Sequence, residues 1–284
     1  MASVSNLLAF FSNLFRTNLF VDDTTISFSN SNFSDLISDA NTELGKVLEW
    51  TFANRLTINV SKTEMLLITK RQVNRDNFSV FLDNTKLDLK DNCKFLGVFV
   101  DDNLNFSFHI KYIRTKLSRC AGILYRIRDY LPMEARLNFY YAFIFPYLSY
   151  NVIIWGGTNN LHIEPVIVQH KRIIRIICNS RRFEHTSPLF SQLGLLKFRD
   201  IYKFFMCVHM FKSLSEGQFK TSHQLDTRNA NLAKVEFHRL TLCQKAVSFR
   251  GPHIWNSLPL YLRKISSFSL FKKKLKSYFV AQYL

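Results

Sequence analysis

The apolar residues of this 284-residue chain change their period once, near residue 105, and that change limits the fold more than any other feature. Before it, short runs rich in β-formers alternate with Asn/Asp turns: residues 19–21, 25–28, 64–69, 78–82, 86–89 and 94–100 read as strands. One helix interrupts them over residues 35–54, where Leu36, Ala40, Leu44, Val47, Leu48 and Phe52 share a face and Ser34 stands as N-cap. After it the period is helical. In 107–131 a stripe runs through Ile110, Ile113, Leu117, Cys120, Ala121, Leu124 and Ile127. A second helix, 133–145, ends before Pro146, a third covers 165–179, and the last covers 267–283. Residues 213–231 are polar and read as a linker, and no internal repeat is visible. The chain is α+β, with the two kinds of structure separated along it.

Charge divides at the same place. The net charge is +17, yet residues 1–105 carry 10 Lys+Arg against 13 Asp+Glu, and the remainder carries 28 against 8. An acidic front and a strongly basic back suit a protein that holds carboxylates at one end and grips a polyanion with the other. The basic residues are sorted onto helix faces. Lys111, Arg114 and Arg119 fall mostly off the first stripe, and Lys171, Arg172 and Arg175 lie opposite Val166, His170, Ile173, Ile174 and Ile177. Lys272, Lys273, Lys274 and Lys276 face away from Phe268, Phe271, Leu275, Tyr278 and Phe279. All three sets are candidate phosphate contacts; a merely solvated face is the alternative.

Five cysteines, widely spaced and without a C-x-x-C pair, argue against a disulfide framework or a zinc site, so an intracellular protein, nuclear or cytoplasmic and not secreted, is expected. The apolar start lacks a basic region and does not read as a signal peptide. Between Arg136 and Glu164 no residue is charged, which is long enough for a membrane span. Asn138, Pro146, Ser149, Asn151 and the tyrosines favour a buried helix and its turn instead.

The chemistry-bearing candidate is Phe20-Val21-Asp22-Asp23, two adjacent carboxylates at the tip of an expected hairpin. Mg²⁺ takes hard oxygen ligands and accepts one or two carboxylates from protein, leaving its other positions to phosphate and water. The tetrapeptide alone is weak, because Phe99-Val100-Asp101-Asp102 repeats it; that copy opens a turn and reads as structural. His109 reads as a packing histidine, and Trp50, Trp155 and Trp255 read as core anchors.

Order separates the two copies. After Leu19–Ile26 comes an amphipathic helix ending in Trp50, then Asn54-Arg55-Leu56 through Lys62-Thr63-Glu64, then Lys94-Phe95-Leu96-Gly97-Val98. Leu104, His109 and Lys116 follow, then Tyr150, Trp155-Gly156, Gln169-x-Lys171-Arg172-x-x-Arg175, His185-Thr186-x-Pro188-Leu189 and Gly251-Pro252-x-Ile254-Trp255-Asn256-x-Leu258-Pro259. This succession resembles the reverse transcriptases of LINE-type (non-long-terminal-repeat) retrotransposons, particularly the jockey-like group, over about residues 19–280.

The resemblance implies a partial polymerase palm sheet followed by a mainly helical thumb and C-terminal region. Residues 1–18 would be a non-family or truncated start, 19–105 the C-terminal part of the palm with its primer-grip hairpin, 106–160 the thumb, and 161–284 a basic, mainly helical region. It implies that Asp22 and Asp23 bind catalytic Mg²⁺, that Lys62 stands near the leaving pyrophosphate, and that Phe95, Leu96 and Gly97 form the primer grip. RNA template, DNA primer and deoxynucleotides are the implied partners, with no membrane. A further metal-binding aspartate of the family lies upstream of the pair, and Met1–Arg16 holds no Asp or Glu. The expectation is therefore a fragment that lacks the N-terminal part of its polyprotein and is inactive alone. The alternative is a non-catalytic, basic nucleic-acid-binding remnant.

Overall fold

The computed structural model describes residues 15–20, 23–219, 232–240 and 243–283. Its contacts divide the chain into two units: residues up to Phe95 together with Asp101–Asn103, and Leu96–Val100 together with Leu104 onward.

In the first unit, β1 (Phe15–Phe20) and β2 (Asp23–Phe28) pair antiparallel, from Phe15 opposite Phe28 to Phe20 opposite Asp23. The expected strand at 19–21 thus begins four residues earlier. Helix α1 (Phe33–Ala53) is capped by Asn32, not Ser34: the Asn32 side chain accepts from the Ser34 N–H at 3.1 Å and from its hydroxyl at 2.9 Å. Its buried face is Ala40, Glu43, Val47 and Trp50, whereas Phe52, expected on that face, is 88% exposed.

The remaining strands of this unit are short. Parallel β3 (Met65–Leu66) and β6 (Leu89–Lys90) form one pair, and antiparallel β4 (Phe81–Leu82) and β5 (Thr85–Lys86) another. The β4–β5 turn is Asp83-Asn84, both with positive φ (48° and 57°), the pattern of a type I′ turn. Asn41 of α1 serves β4 as a neighbouring strand would. Its side chain donates to the Ser79 carbonyl (3.1 Å) and accepts from the Phe81 N–H (2.8 Å). Ala40, Leu67, Phe78, Val80, Leu82 and Leu87 close the small core.

A fourth pair joins β7 (Asn92–Phe95) and β8 (Val98–Asp101). Among the described residues the strands form four separate two-stranded sheets. Most strands here are two to four residues long, leaving their edges to loops and side chains rather than to further strands.

The second unit is helical. Helix α2 (Ser107–Ile127) lies along α6 (Asn160–Ile177). Between them the chain forms α3 (Met133–Phe139), a wide π turn at Tyr140–Ile144, α4 (Phe145–Ser149) and α5 (Val152–Trp155). Sequence reading ended this helix before Pro146, but it continues to Ser149. The Phe145 N–H reaches back to the Tyr140 carbonyl, and this one-residue shift in the ladder falls where proline has no N–H to offer. Helix α6 also begins earlier than expected. Asn159 caps it, and Pro165 lies inside.

Next come α7 (Thr186–Gln192), α8 (Phe198–Ser215), α9 (Val247–Asn256), α10 (Leu260–Arg263) and α11 (Phe268–Ala281). Helix α8 touches α4, α5, α6, α9 and α11 and is the centre of the unit. Sequence reading missed it, because apolar residues run nearly all round it and leave no polar stripe to reveal a period. It also overturns the start of the expected linker, since Ser213 is buried in α8. Residues 220–231 lie outside the described residues. Trp155 and Trp255 are buried with Leu117, Ile144, Ile173, Ile201 and Phe271 in one core, and no described helix is long and apolar enough to cross a membrane.

Candidate functional site

Of the expected carboxylate pair, Asp23 alone belongs to a described strand. Asp23 opens β2 opposite Phe20, while Asp22 and the side chain of Asp23 lie outside the described residues. Lys62 ends a short 3₁₀ turn, Val60–Lys62, and its side chain is exposed. Among the described residues no three His, Cys, Asp or Glu side chains gather to hold a metal.

The second Phe-Val-Asp-Asp copy has a different occupation. Asp102 pairs with Arg75, which also holds Asp91 at 2.7 Å, and the Asp102 N–H donates to the Asp91 carbonyl at 3.1 Å. These bonds tie three segments of the first unit together, and they commit the carboxylate of Asp102 to a guanidinium.

Phe95, Leu96 and Gly97 occupy the end of β7 and the turn into β8. Leu96 (φ 43°) and Gly97 (φ 81°) both take the left-handed region that a two-residue I′ turn demands. Tyr150, at the end of α4, donates its hydroxyl to the Leu96 carbonyl at 2.7 Å. Its ring fills the space beside Gly97, where a Cβ would stand 3.1 Å from Cε1. Two residues on, the Phe99 N–H points at Nδ1 of His109 at 3.4 Å. His109 is the packing histidine expected: it is buried edge-on against Trp155, with ring centroids 5.3 Å apart. Burial drives its pKa down to about 4, so the ring is neutral at pH 7.

The three basic sets differ in their surroundings. Lys111, Arg114 and Arg119 are exposed on α2, away from its buried stripe. Lys272, Lys273, Lys274 and Lys276 are exposed on α11, and the Lys272 ammonium lies 4.7 Å from the Phe268 ring. The α6 set is not one solvated face. Arg172 is exposed, but Lys171 and Arg175 are half-buried, and Arg175 Nε donates to the Glu184 carbonyl at 2.8 Å. Isoleucines cover more of this helix than a single stripe, which narrows its free side.

Buried polar contacts that the sequence pattern does not record hold the helical unit. Tyr140 and His170, both buried, share a hydrogen bond of 3.0 Å (Oη to Nε2). Burial lowers the His170 pKa to about 3 and raises that of Tyr140. Arg250 of α9 donates to the Gly157 carbonyl, and the same guanidinium and the Tyr202 hydroxyl occupy the space a Cβ on Gly157 would need. The Trp-Gly-Gly run is thus a close-packing device: Trp155 is buried, and Gly156 lies against the Val152 carbonyl.

Among known proteins the chain is similar to RNA-directed DNA polymerases of mobile elements. It is 25% identical over 179 residues, 62% of its length, to the probable RNA-directed DNA polymerase from transposon X-element of Drosophila melanogaster. It is 24% identical over 156 residues to the RNA-directed DNA polymerase from mobile element jockey of Drosophila funebris, and 22% identical over 185 residues to that of Drosophila melanogaster. These matches cover 54% and 64% of the chain. The matched part spans about a fifth of each relative's length: 20%, 17% and 20%. No family model and no solved structure matches the chain.

Proposed function

We propose that this chain is part of the reverse transcriptase of a jockey-like, non-long-terminal-repeat retrotransposon. Residues 19–105 form the C-terminal part of its palm with the primer-grip hairpin, 106–160 its thumb, and 161–284 a basic C-terminal region. The observation that carries this reading is the ordered set of motifs from Asp22-Asp23 to Pro259, together with the similarity to three polymerases of this group.

In the intact enzyme Asp22 and Asp23 would hold a divalent metal by their carboxylates, and that metal would supply charge stabilisation for nucleotidyl transfer. Lys62, exposed on its turn, offers positive charge and a proton to the departing pyrophosphate. The Leu96–Gly97 turn bears on the primer end. Lys111, Arg114 and Arg119 of α2, Arg172 of α6 and the α11 lysines contact phosphates without reading sequence. Lys171 and Arg175, being half-buried, contribute less than Arg172. One adjacent pair of carboxylates holds Mg²⁺ weakly, because the ion gives up its hydration reluctantly. The chain alone is therefore expected not to extend a primer.

The test joins this chain to the upstream half of a related polymerase and measures primer extension on an RNA template with Mg²⁺. The chimera should be active, Asp22→Ala should abolish extension, and Asp102→Asn should leave it standing. Loss of activity in Asp102→Asn but not in Asp22→Ala would reverse the assignment of the two copies. A chimera inactive in every form, on a chain that still binds duplex, would favour the non-catalytic reading.

A further inference from the structure

Leu96 is strained. A residue with a Cβ pays for the left-handed region, and such a conformation persists only where its surroundings over-determine it. The surroundings here are specific. Tyr150 caps the Leu96 carbonyl with its hydroxyl (2.7 Å) and walls the turn at Gly97 with its ring. Tyr150 is itself held, because its carbonyl accepts from Trp155 Nε1–H at 3.0 Å and the Trp155 side chain is fully buried. The same indole packs on His109, which faces the Phe99 N–H in β8. Turn and strand are thus each gripped by one end of a single Tyr150–Trp155–His109 chain of contacts. Packing alone does not call for a tyrosine at 150, since the side chain is 53% exposed; what its hydroxyl reaches is the turn.

We propose that Tyr150 is a positioning residue: by holding the Leu96 carbonyl it keeps the Leu96–Gly97 turn rigid, and this turn then locates the last nucleotide of a primer. The inference rests on reading that turn as the primer grip. Tyr150 touches neither substrate nor metal; it acts through the turn. A rigid two-residue turn, held by a buried indole behind the tyrosine, loses less freedom on meeting a primer end than a free hairpin would.

The experiment uses the full chain and Tyr150→Phe, which removes one oxygen and keeps the ring. Backbone hydrogen exchange is followed at residues 97–99, with α2 and α6 as internal controls. Losing the hydroxyl should speed exchange at 97–99 by about tenfold, the worth of one ordinary hydrogen bond, and leave both helices unchanged. In parallel, the chain binds a primer–template duplex carrying 2-aminopurine as the primer's last base and a fluorophore at the far end. Anisotropy of the fluorophore reports binding, and the 2-aminopurine signal reports whether the terminus is held. Tyr150→Phe should keep the Kd within about twofold while halving the 2-aminopurine change at saturation.

Unchanged exchange at 97–99 overturns the brace. Faster exchange with an unchanged 2-aminopurine signal overturns the positioning role. Slackening of α2 and α6 together with the turn would also overturn it, by making Tyr150 a general stability residue. If the wild-type chain binds no duplex, the polymerase reading of the turn fails and the positioning role with it. The exchange data would then show separately whether the brace itself exists.

Discussion

Mild acid should loosen the helical unit, and two histidines set the size of the effect. His109 and His170 are each about 1% exposed, and burial lowers their pKa values to about 4 and about 3, from 6.5. A depressed histidine pKa means that the unfolded chain binds the proton first. The stabilisation is present above pH 6.5 and is lost as pH falls towards the folded-state value. Between pH 7.5 and 5 the unfolded state gains about 1.5 pH units of proton binding at each site, and the folded state gains almost none. At about 1.36 kcal/mol per unit, each histidine costs about 2 kcal/mol over that range.

The assay is urea unfolding at the two pH values, followed by the fluorescence of Trp155 and Trp255 in a Trp50→Phe background. His170→Leu should reduce the difference between pH 7.5 and pH 5 by about 2 kcal/mol, as should His109→Leu. The cost of each substitution at pH 7.5 is measured separately and does not enter the comparison. The same pH difference in His170→Leu as in the parent would refute the reasoning, because a ring that titrates equally in both states contributes no slope.

The surface of α11 offers a second measurement. Replacing Lys272, Lys273, Lys274 and Lys276 by Gln should lower the slope of log K against log salt by about 0.7–0.9 for each lysine that meets a phosphate, with no change in sequence preference. The single change Arg175→Gln should alter that slope less than Arg172→Gln, since Arg175 Nε is already bound to the Glu184 carbonyl. In the core, Leu117→Ala should cost about 2–5 kcal/mol in urea unfolding, because the side chain is fully buried between helices. Gly157→Ala should destabilise the helical unit by about 1–3 kcal/mol, and the Gly157→Ala, Arg250→Ala pair should be non-additive, as the new methyl and the guanidinium compete for one space.

Helix faces with a clean polar side were legible from the residues alone. The stripe of α2 and the lysine face of α11 follow from a period that water imposes, and the structure keeps both to within a turn of the expected ends. The three tryptophans were legible as core anchors for a similar reason: large apolar area leaves water wherever the chain folds. Helix α8 was not legible. A helix covered on most sides has no polar stripe, and its course depends on α4, α5, α6, α9 and α11 around it. The cap of α1 is Asn32 and not the expected Ser34, because the path of the entering chain decides which side chain reaches the first free N–H.

The candidate site divides along the same line. Its candidate residues were picked out by type and order: paired carboxylates, a lysine, a Leu-Gly turn and three basic sets. Tertiary structure alone decided which side chains are free to act. It committed Asp102 to Arg75 and docked Arg175 on the Glu184 carbonyl. It also brought Tyr150 to the Leu96 carbonyl across 54 residues of chain. Periodicity encodes which face meets water, a local property. A hydrogen bond between distant segments is set by how helices pack, and no local pattern records that.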